Sequence, residues 1–134
     1  MGAKQEQFIA DFCDAWGDGS FEKKPDIDKI VSMFAEDAEW QQWVPGGPVI
    51  RGRANLRTEI ERQTRIASNN KCNIVNVLSS DTMVMQERSD QAIIFGKDCP
   101  HQMVAIYELD DEGLIIRWRE YLDMADLTRK MGVD

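Results

Sequence analysis

The sequence has few of the residues that metal sites and disulfide frameworks require. Its 134 residues include one histidine, His101, and three cysteines, Cys13, Cys72 and Cys99. One histidine without a nearby cysteine pair does not provide the ligand spacing of a zinc site. An odd number of scattered cysteines is typical of free thiols in a reducing compartment. We therefore expect a cytoplasmic protein without a metal or a disulfide framework.

Long apolar runs and clusters of basic residues are also missing. No apolar run approaches the ~18 residues that cross a bilayer, and residues 1–6 contain neither a signal core nor an acylation motif. The chain has 16 Lys and Arg against 24 Asp and Glu residues, which gives a formal charge of −8. Because phosphate binding needs clustered cations, this acidic balance predicts that the protein has no nucleic-acid partner. The lack of a long apolar run predicts that it does not span a membrane.

Helical periodicity dominates the first half of the chain. Apolar residues at helical spacing predict helices over residues 5–16, 25–34 and about 54–67. Residues 38–44 form a predicted strand, which ends at the Pro and Gly residues of segment 45–48 because proline cannot continue a sheet ladder.

The second half of the chain consists mainly of predicted strands. Runs of β-branched and aromatic residues predict strands at 72–78, 83–90, 102–109 and 114–121. Asp123 is placed to cap a short final helix at 124–131. Helices gathered early and strands that follow one another indicate a single α+β domain, residues 1–134, with a curved antiparallel or mixed sheet.

The last predicted strand carries a carboxylate among apolar residues. Side chains two apart share a face of a strand, so Glu120 lies on the face of Leu114, Ile116, Trp118 and Leu122. A buried carboxylate without a partner is costly or takes up a proton, so Glu120 would need a cation there. The alternative is a strand-end glutamate that the twist of the sheet turns towards solvent.

Arg88 and Asp90 share a face of another predicted strand and can supply that cation. If this face is concave, two carboxylates, Asp90 and Glu120, surround one guanidinium, whose five donors can hold both. Two acids that share one cation have a net charge of −1 when both are ionised, so one of them can keep its proton and act as an acid beside a base. The alternative is an ordinary cross-strand salt-bridge cluster.

Three further residues are candidates for the lining of a pocket. Trp40 and Gln42 share a face and can offer an indole N–H and an amide, or simply fill the core and the sheet edge. His101 is either a pocket donor or a loop-end residue that faces water. Four methionines suit an apolar lining, as they suit ordinary packing: Met83, Met85, Met103 and Met124.

These residues resemble the limonene-1,2-epoxide hydrolase family, within the NTF2-like and SnoaL-like superfamily, over nearly the whole chain. The resemblance is carried by Glu87-Arg88-Ser89-Asp90 and by Trp118-Arg119-Glu120-Tyr121-Leu122-Asp123, with support from Met33-Phe34-Ala35-Glu36-Asp37 and Trp40-Gln41-Gln42. It implies a cone-shaped fold in which N-terminal helices pack on a curved sheet around a deep pocket. It also implies a homodimer, no cofactor, and a small apolar substrate.

The resemblance also implies roles for the candidate residues. In this family one Asp protonates the epoxide oxygen, a second Asp takes a proton from the attacking water, and an Arg orients both. Asp90 then corresponds to the acid, Arg88 to the bridging cation and Glu120 to the base. Trp40 and Gln42 stand where the family has a Tyr and an Asn that hold the water.

The departures from the family lie in the half of the site that holds the water. Glu for Asp and Gln for Asn each add a methylene, and an indole donates a hydrogen bond but cannot accept one. The leading hypothesis is a cofactor-independent epoxide hydrolase that acts in one step. Two alternatives stay open: an isomerase, cyclase or dehydratase of the SnoaL-like or ketosteroid-isomerase-like kind, acting on a polycyclic or polyketide substrate, and a ligand-binding module without catalysis.

Overall fold

The structure is a computed structural model that describes residues 2–133. Its elements, in chain order, are α1 (Ala3–Asp14), α2 (Ile27–Ser32), β1 (Phe34–Gln41), β2 (Val49–Arg51), α3 (Arg53–Ile66), β3 (Ala67–Ser79), β4 (Met83–Ile94), β5 (Lys97–Asp98), β6 (His101–Leu109), β7 (Ile115–Leu122) and α4 (Met124–Met131). These helices and a curved open sheet confirm the α+β prediction. Within the described residues, every helix is too short or too polar to traverse a bilayer.

The strands form a mixed sheet in the order β2-β1-β7-β6-β4-β3, with β5 paired to β4. Strands β1 and β7 run parallel, and the other paired strands run antiparallel. The parallel pair brings the first long strand of the chain beside the last one. This places Trp40 of β1 directly opposite Trp118 of β7.

The core lies between one face of this sheet and the helices. Helix α1 buries Ile9, Phe12 and Cys13, which form one stripe at helical spacing. The Phe12 ring lies edge-on to the rings of Tyr107 and Trp118, at centroid distances of 5.8 and 5.2 Å. Apolar burial therefore fixes α1 over the centre of the sheet, on the face that also carries the candidate site.

Several element boundaries differ from the sequence predictions. Helix α2 ends at Ser32, and Phe34 opens β1 by pairing with Ile115 of β7. Strand β3 begins at Ala67, directly after α3, although its first residues are polar and gave no strand periodicity. Strands β2 and β5 were not predicted, because three and two residues are too short to show alternation. The predicted cap of α4 is present, with the Asp123 side chain accepting from the Asp126 N–H.

At the start of β7 the alternation of inward and outward side chains differs from the prediction. Ile115 is fully buried, whereas Leu114 and Ile116, which were expected on the face of Trp118, are only partly buried. The pairing of β7 with β6 is irregular between Glu108 and Leu109, and such an irregularity shifts the faces by one residue. Beyond it the alternation holds.

Candidate active site

Arg88 lies between the carboxylates of Asp90 and Glu120. Its Nη2 atom is 2.7 Å from Asp90 Oδ2 and 3.0 Å from Glu120 Oε2, and its Nε donates to Asp90 Oδ1 at 3.2 Å. Arg88 is 4% exposed and each of the two acids is 6% exposed. The structure therefore brings the three predicted residues together as a buried ion triad, and Glu120 does not face solvent.

Backbone register explains how three strands build this triad. Arg88 and Asp90 alternate on β4, and the residues opposite them on β6 are Met103 and His101. Glu120 of β7 lies opposite Ala105 of β6. Because Ala105 carries only a methyl group on the inner face, the Arg88 side chain can cross β6 and reach Glu120.

Two aromatic residues complete the hydrogen bonding of the triad. Arg88 Nη1 donates to the Tyr107 hydroxyl at 2.6 Å, and Trp40 Nε1 donates to Glu120 Oε1 at 3.3 Å. The Trp118 ring stacks between them, with centroids 4.3 Å from Trp40 and 5.7 Å from Tyr107. We call Tyr107, Trp118 and Trp40 the aromatic column. It holds the Arg88–Glu120 pair at both ends.

Sequence reasoning did not assign Tyr107 to the site. The available signal was its position on β6, where it is in phase with Ala105, Met103 and His101 on the inner face. Tyr107 is fully buried, so its hydroxyl needs a partner inside the protein, and Arg88 provides one.

Burial changes the acidity of one of the two acids. It raises the pKa of Glu120 from 4.5 to about 7, the positive charge of Arg88 opposes that rise, and the negative charge of Asp90 adds to it. A carboxyl group with a pKa near 7 can accept a proton at neutral pH and is a stronger base than an ordinary glutamate.

The triad lines a pocket of about 360 Å³. Most of its wall is apolar. The apolar lining includes four tryptophans, one residue of α3 and three residues of α4: Trp16, Trp40, Trp43, Trp118, Ile66, Met124, Leu127 and Met131. Pockets of this volume bind small molecules. Among residues 2–133, no group of three or more His, Cys, Asp or Glu side chains is arranged to hold a metal ion.

Gln42 lines the pocket but binds elsewhere. Its Nε2 donates to Glu59 Oε2 at 2.7 Å rather than to Glu120. Hydrogen bonds from Arg62 are the largest cause that lowers the pKa of Glu59, to about 2, so Glu59 is ionised at neutral pH. A charge-assisted hydrogen bond therefore holds the Gln42 amide on α3.

His101 also lines the pocket. Its Nδ1 lies 2.8 Å from the carbonyl oxygen of Cys99. Because a carbonyl oxygen only accepts, the His101 Nδ1–H donates this hydrogen bond, which fixes the orientation of the ring. The role of His101 as a pocket donor stays a prediction.

The predicted methionine lining is only partly present. Met103 and Met124 line the pocket, whereas Met85 is 41% exposed and Met83 does not reach it. Trp43 lines the pocket although it was expected on the face opposite Trp40. Strand β1 ends at Gln41, so the alternation does not continue to Trp43.

Comparison with known proteins gives one family match. Residues 19–132 match the sequence profile described as the limonene-1,2-epoxide hydrolase catalytic domain. Among curated proteins, no sequence matches this chain.

Three solved structures share the fold. An LEH-like epoxide hydrolase of M. tuberculosis has a TM-score of 0.77 at 22% identity, covering 96% of this chain and 89% of that one. A Catenulispora acidiphila protein with a ketosteroid isomerase-like fold has a TM-score of 0.77 at 16% identity, covering 96% and 94%. SalBIII, an epoxide hydrolase/cyclase-like enzyme of pyran ring formation in salinomycin, has a TM-score of 0.76 at 21% identity, covering 92% and 93%. These neighbours confirm the predicted NTF2-like fold.

Proposed function

The chain belongs to the limonene-1,2-epoxide hydrolase family, and on that premise we propose that it opens a small apolar epoxide by acid and base catalysis without a cofactor. The observation that carries the proposal is the buried triad, in which Arg88 Nη2 lies within 3.0 Å of both Asp90 and Glu120. The mostly apolar pocket that the triad lines supports an apolar substrate.

The proposed reaction moves two protons in one step. The Asp90 carboxyl donates a proton to the epoxide oxygen as the carbon–oxygen bond breaks, and the Glu120 carboxylate takes a proton from the water whose oxygen attacks the carbon. The proton lost by one carboxyl is matched by the proton gained by the other. Arg88 therefore faces one negative charge before and after the step, and its fixed position needs no reorganisation.

The state of Glu120 supports its role as the base. Burial raises its pKa to about 7, so its ionised form is a stronger base than an ordinary carboxylate and deprotonates water more readily as the attack proceeds. Trp40 and Arg88 each donate to one of its oxygens, which aims the carboxylate into the pocket.

A second candidate is ring closure, in which a hydroxyl of the substrate replaces water. The observation that favours it is that Trp40 and Gln42, which stand where the family holds the water, make other hydrogen bonds in this structure. Trp40 donates directly to Glu120, and the Gln42 amide is bound to Glu59. A hydroxyl held by the rest of the substrate does not need those groups. SalBIII, which shares the fold, is an epoxide hydrolase/cyclase-like enzyme, and this agrees with such a reaction.

Product analysis in ¹⁸O-labelled water separates these functions. The probes are limonene-1,2-epoxide, styrene oxide and an epoxide that carries an internal hydroxyl, each with Asp90→Asn as the control for spontaneous opening. Hydrolysis predicts a diol with one labelled oxygen, and cyclisation predicts an unlabelled cyclic ether. If every probe binds but none reacts faster than with Asp90→Asn, the protein is a binding module and the proposal is wrong.

We also propose a cytoplasmic homodimer that forms through the outer face of the sheet. Leu78 and Met85 are paired across β3 and β4, and Val104 and Tyr121 across β6 and β7. These side chains are 76%, 41%, 39% and 41% exposed, in that order, and apolar side chains exposed together on one face of a sheet favour an interface there. Light scattering should give a dimer that Leu78→Asp and Met85→Asp dissociate. A monomer at every concentration would exclude this assembly.

A further inference from the structure

Phe95 adopts a left-handed backbone conformation that an aromatic residue rarely takes. It lies with Gly96 in the two-residue turn between β4 and β5, where Ile94 pairs with Lys97. The φ angles of Phe95 and Gly96 are 52° and 75°, and a type I′ hairpin turn needs positive φ at both of its central residues. Asn, Asp and Gly are preferred there, because a bulky side chain at positive φ is strained. The turn geometry therefore does not explain a phenylalanine at this position.

Backbone hydrogen bonds hold Phe95 in this conformation. Its N–H donates to the Ile66 carbonyl oxygen at 2.9 Å, at the junction of α3 and β3. The next residue, Ala67, pairs with Ile94 of β4. The backbone of Phe95 is thus fixed against the end of α3.

Packing does not explain the aromatic ring either. Phe95 is 51% exposed and lies outside the hydrophobic core. It does line the pocket, as do Ile66 of α3 and Leu127 and Met131 of α4. A residue that lines the pocket and is half exposed lies where the pocket meets solvent. Phe95 is therefore an apolar residue at the mouth of the pocket.

The pocket extends along β4 from the triad to Phe95. Asp90 and Phe95 are five positions apart in the sequence, and a strand rises about 3.3 Å per residue, so their backbones lie roughly 16 Å apart. Ala92 and Ile94 alternate with Asp90 on the same face of β4, and both line the same pocket. A ligand that reaches from the triad to Phe95 therefore carries an apolar tail beyond its reacting group.

We propose that Phe95 is a specificity-determining residue that binds the apolar tail of the substrate while the epoxide lies at the triad. The inference rests on the proposed function and adds the substrate class, epoxides with an extended apolar tail in preference to compact ones. The ring gains its apolar contact only when such a tail is bound, and burial of apolar surface stabilises that complex. Strained residues of this kind are concentrated at ligand-binding sites.

The first test is calorimetric binding of 1,2-hexanediol and 1,2-decanediol, which measures binding without turnover. The wild type should bind the longer diol more tightly, and in Phe95→Ala and Phe95→Asn this preference should fall by about tenfold. Phe21→Asn is the matched control, because Phe21 is 63% exposed but lies outside the pocket lining. A wild type without the preference, or Phe95 variants that keep it, would overturn the proposal.

Thermal unfolding separates a binding role from a structural one. Asn adopts the left-handed conformation more readily than Phe or Ala. Phe95→Asn should therefore unfold at a higher temperature than Phe95→Ala and at no lower temperature than the wild type. A Phe95→Asn variant that unfolds well below the wild type and loses affinity for both diols equally would show that the ring supports the fold, which would overturn the proposal.

Turnover of 1,2-epoxydecane separates this inference from the proposed reaction. In Phe95→Ala the loss in kcat/KM should appear in KM rather than in kcat, because the ring is remote from the reacting atoms. A loss confined to kcat would overturn the binding role. If the epoxide is not opened but the diol preference still depends on Phe95, the proposed reaction is wrong and the tail-binding role is supported.

Discussion

The Tyr107 hydroxyl accepts a hydrogen bond of 2.6 Å from Arg88 Nη1, on the side of the guanidinium that binds neither carboxylate. Both groups are buried, so water cannot replace this contact. Arg88 Nε and Nη2 donate to Asp90 and Glu120, and Nη2 also lies 2.9 Å from Met103 Sδ. Tyr107 therefore fixes the rotation of the guanidinium plane on which the spacing of the two acids depends.

Tyr107→Phe should lower stability and catalytic rate together. It leaves a buried guanidinium N–H without an acceptor, which costs about 1–3 kcal/mol in urea unfolding. In an epoxide-opening assay kcat should fall more than KM rises. The substitution disturbs the alignment of the two acids but leaves the pocket that binds the substrate unchanged. Tyr121→Phe is the control, since Tyr121 is on the outer face. Equal, small effects of both variants would show that the Arg88 contact is unimportant.

Arg88→Ala should destabilise the protein strongly. Two buried carboxylates would face each other without a cation, and breaking a buried pair in this way costs about 3–5 kcal/mol. The measurement is the free energy of unfolding, with Arg129→Ala as the control. Arg129 forms an ion pair at 71% exposure, so its loss should cost less than about 1 kcal/mol. A folded, fully active Arg88→Ala variant would refute the triad.

Glu120→Gln should change how stability depends on pH. The folded state holds the Glu120 proton up to a pKa of about 7, whereas the unfolded value is 4.5. The protonated Glu120 carboxyl therefore contributes fully to the free energy of unfolding below pH 4.5, and this contribution is lost as the pH rises through 7. We expect the free energy of unfolding of the variant, measured relative to that of the wild type, to increase by about 2–3 kcal/mol between pH 5 and pH 8. The same difference at both pH values would mean that folding leaves the acidity of Glu120 unchanged.

The central triad could be predicted because strand alternation depends only on local sequence. A period of two places Arg88 with Asp90 on β4 and Glu120 with Trp118 on β7, whatever the strand order. The family resemblance then supplied the fold, which brought these two faces together in one pocket.

Other parts of the site depend on tertiary contacts that periodicity does not determine. The Tyr107–Arg88 bond requires β6 to lie between β4 and β7, and the Gln42–Glu59 bond requires α3 to pack near the end of β1. The irregular pairing before Ile115 shifted the faces of β7 without a signal in the sequence. The placement of Trp43 was wrong because β1 ends at Gln41, two residues before it.

The water-holding positions should control the choice between hydrolysis and ring closure. Trp40→Tyr with Gln42→Asn installs the residue types of the family, with a phenol that accepts as well as donates and a shorter amide that leaves Glu59. On an epoxide with an internal hydroxyl, the diol-to-ether ratio should rise by about tenfold or more, given how strongly rate depends on position. An unchanged ratio would show that these residues do not hold the water.

The measurement that tests the acid and base pair most directly is the rate of epoxide opening by the wild type, Asp90→Asn, Glu120→Gln and the double variant, each shown to be folded. Proton transfer of this kind contributes about 10²–10⁴-fold, so each single variant should lose that factor. The double variant should lose little more than either single variant, because the two carboxyls act as a unit. A single variant that opens the epoxide at the wild-type rate would contradict the proposed mechanism.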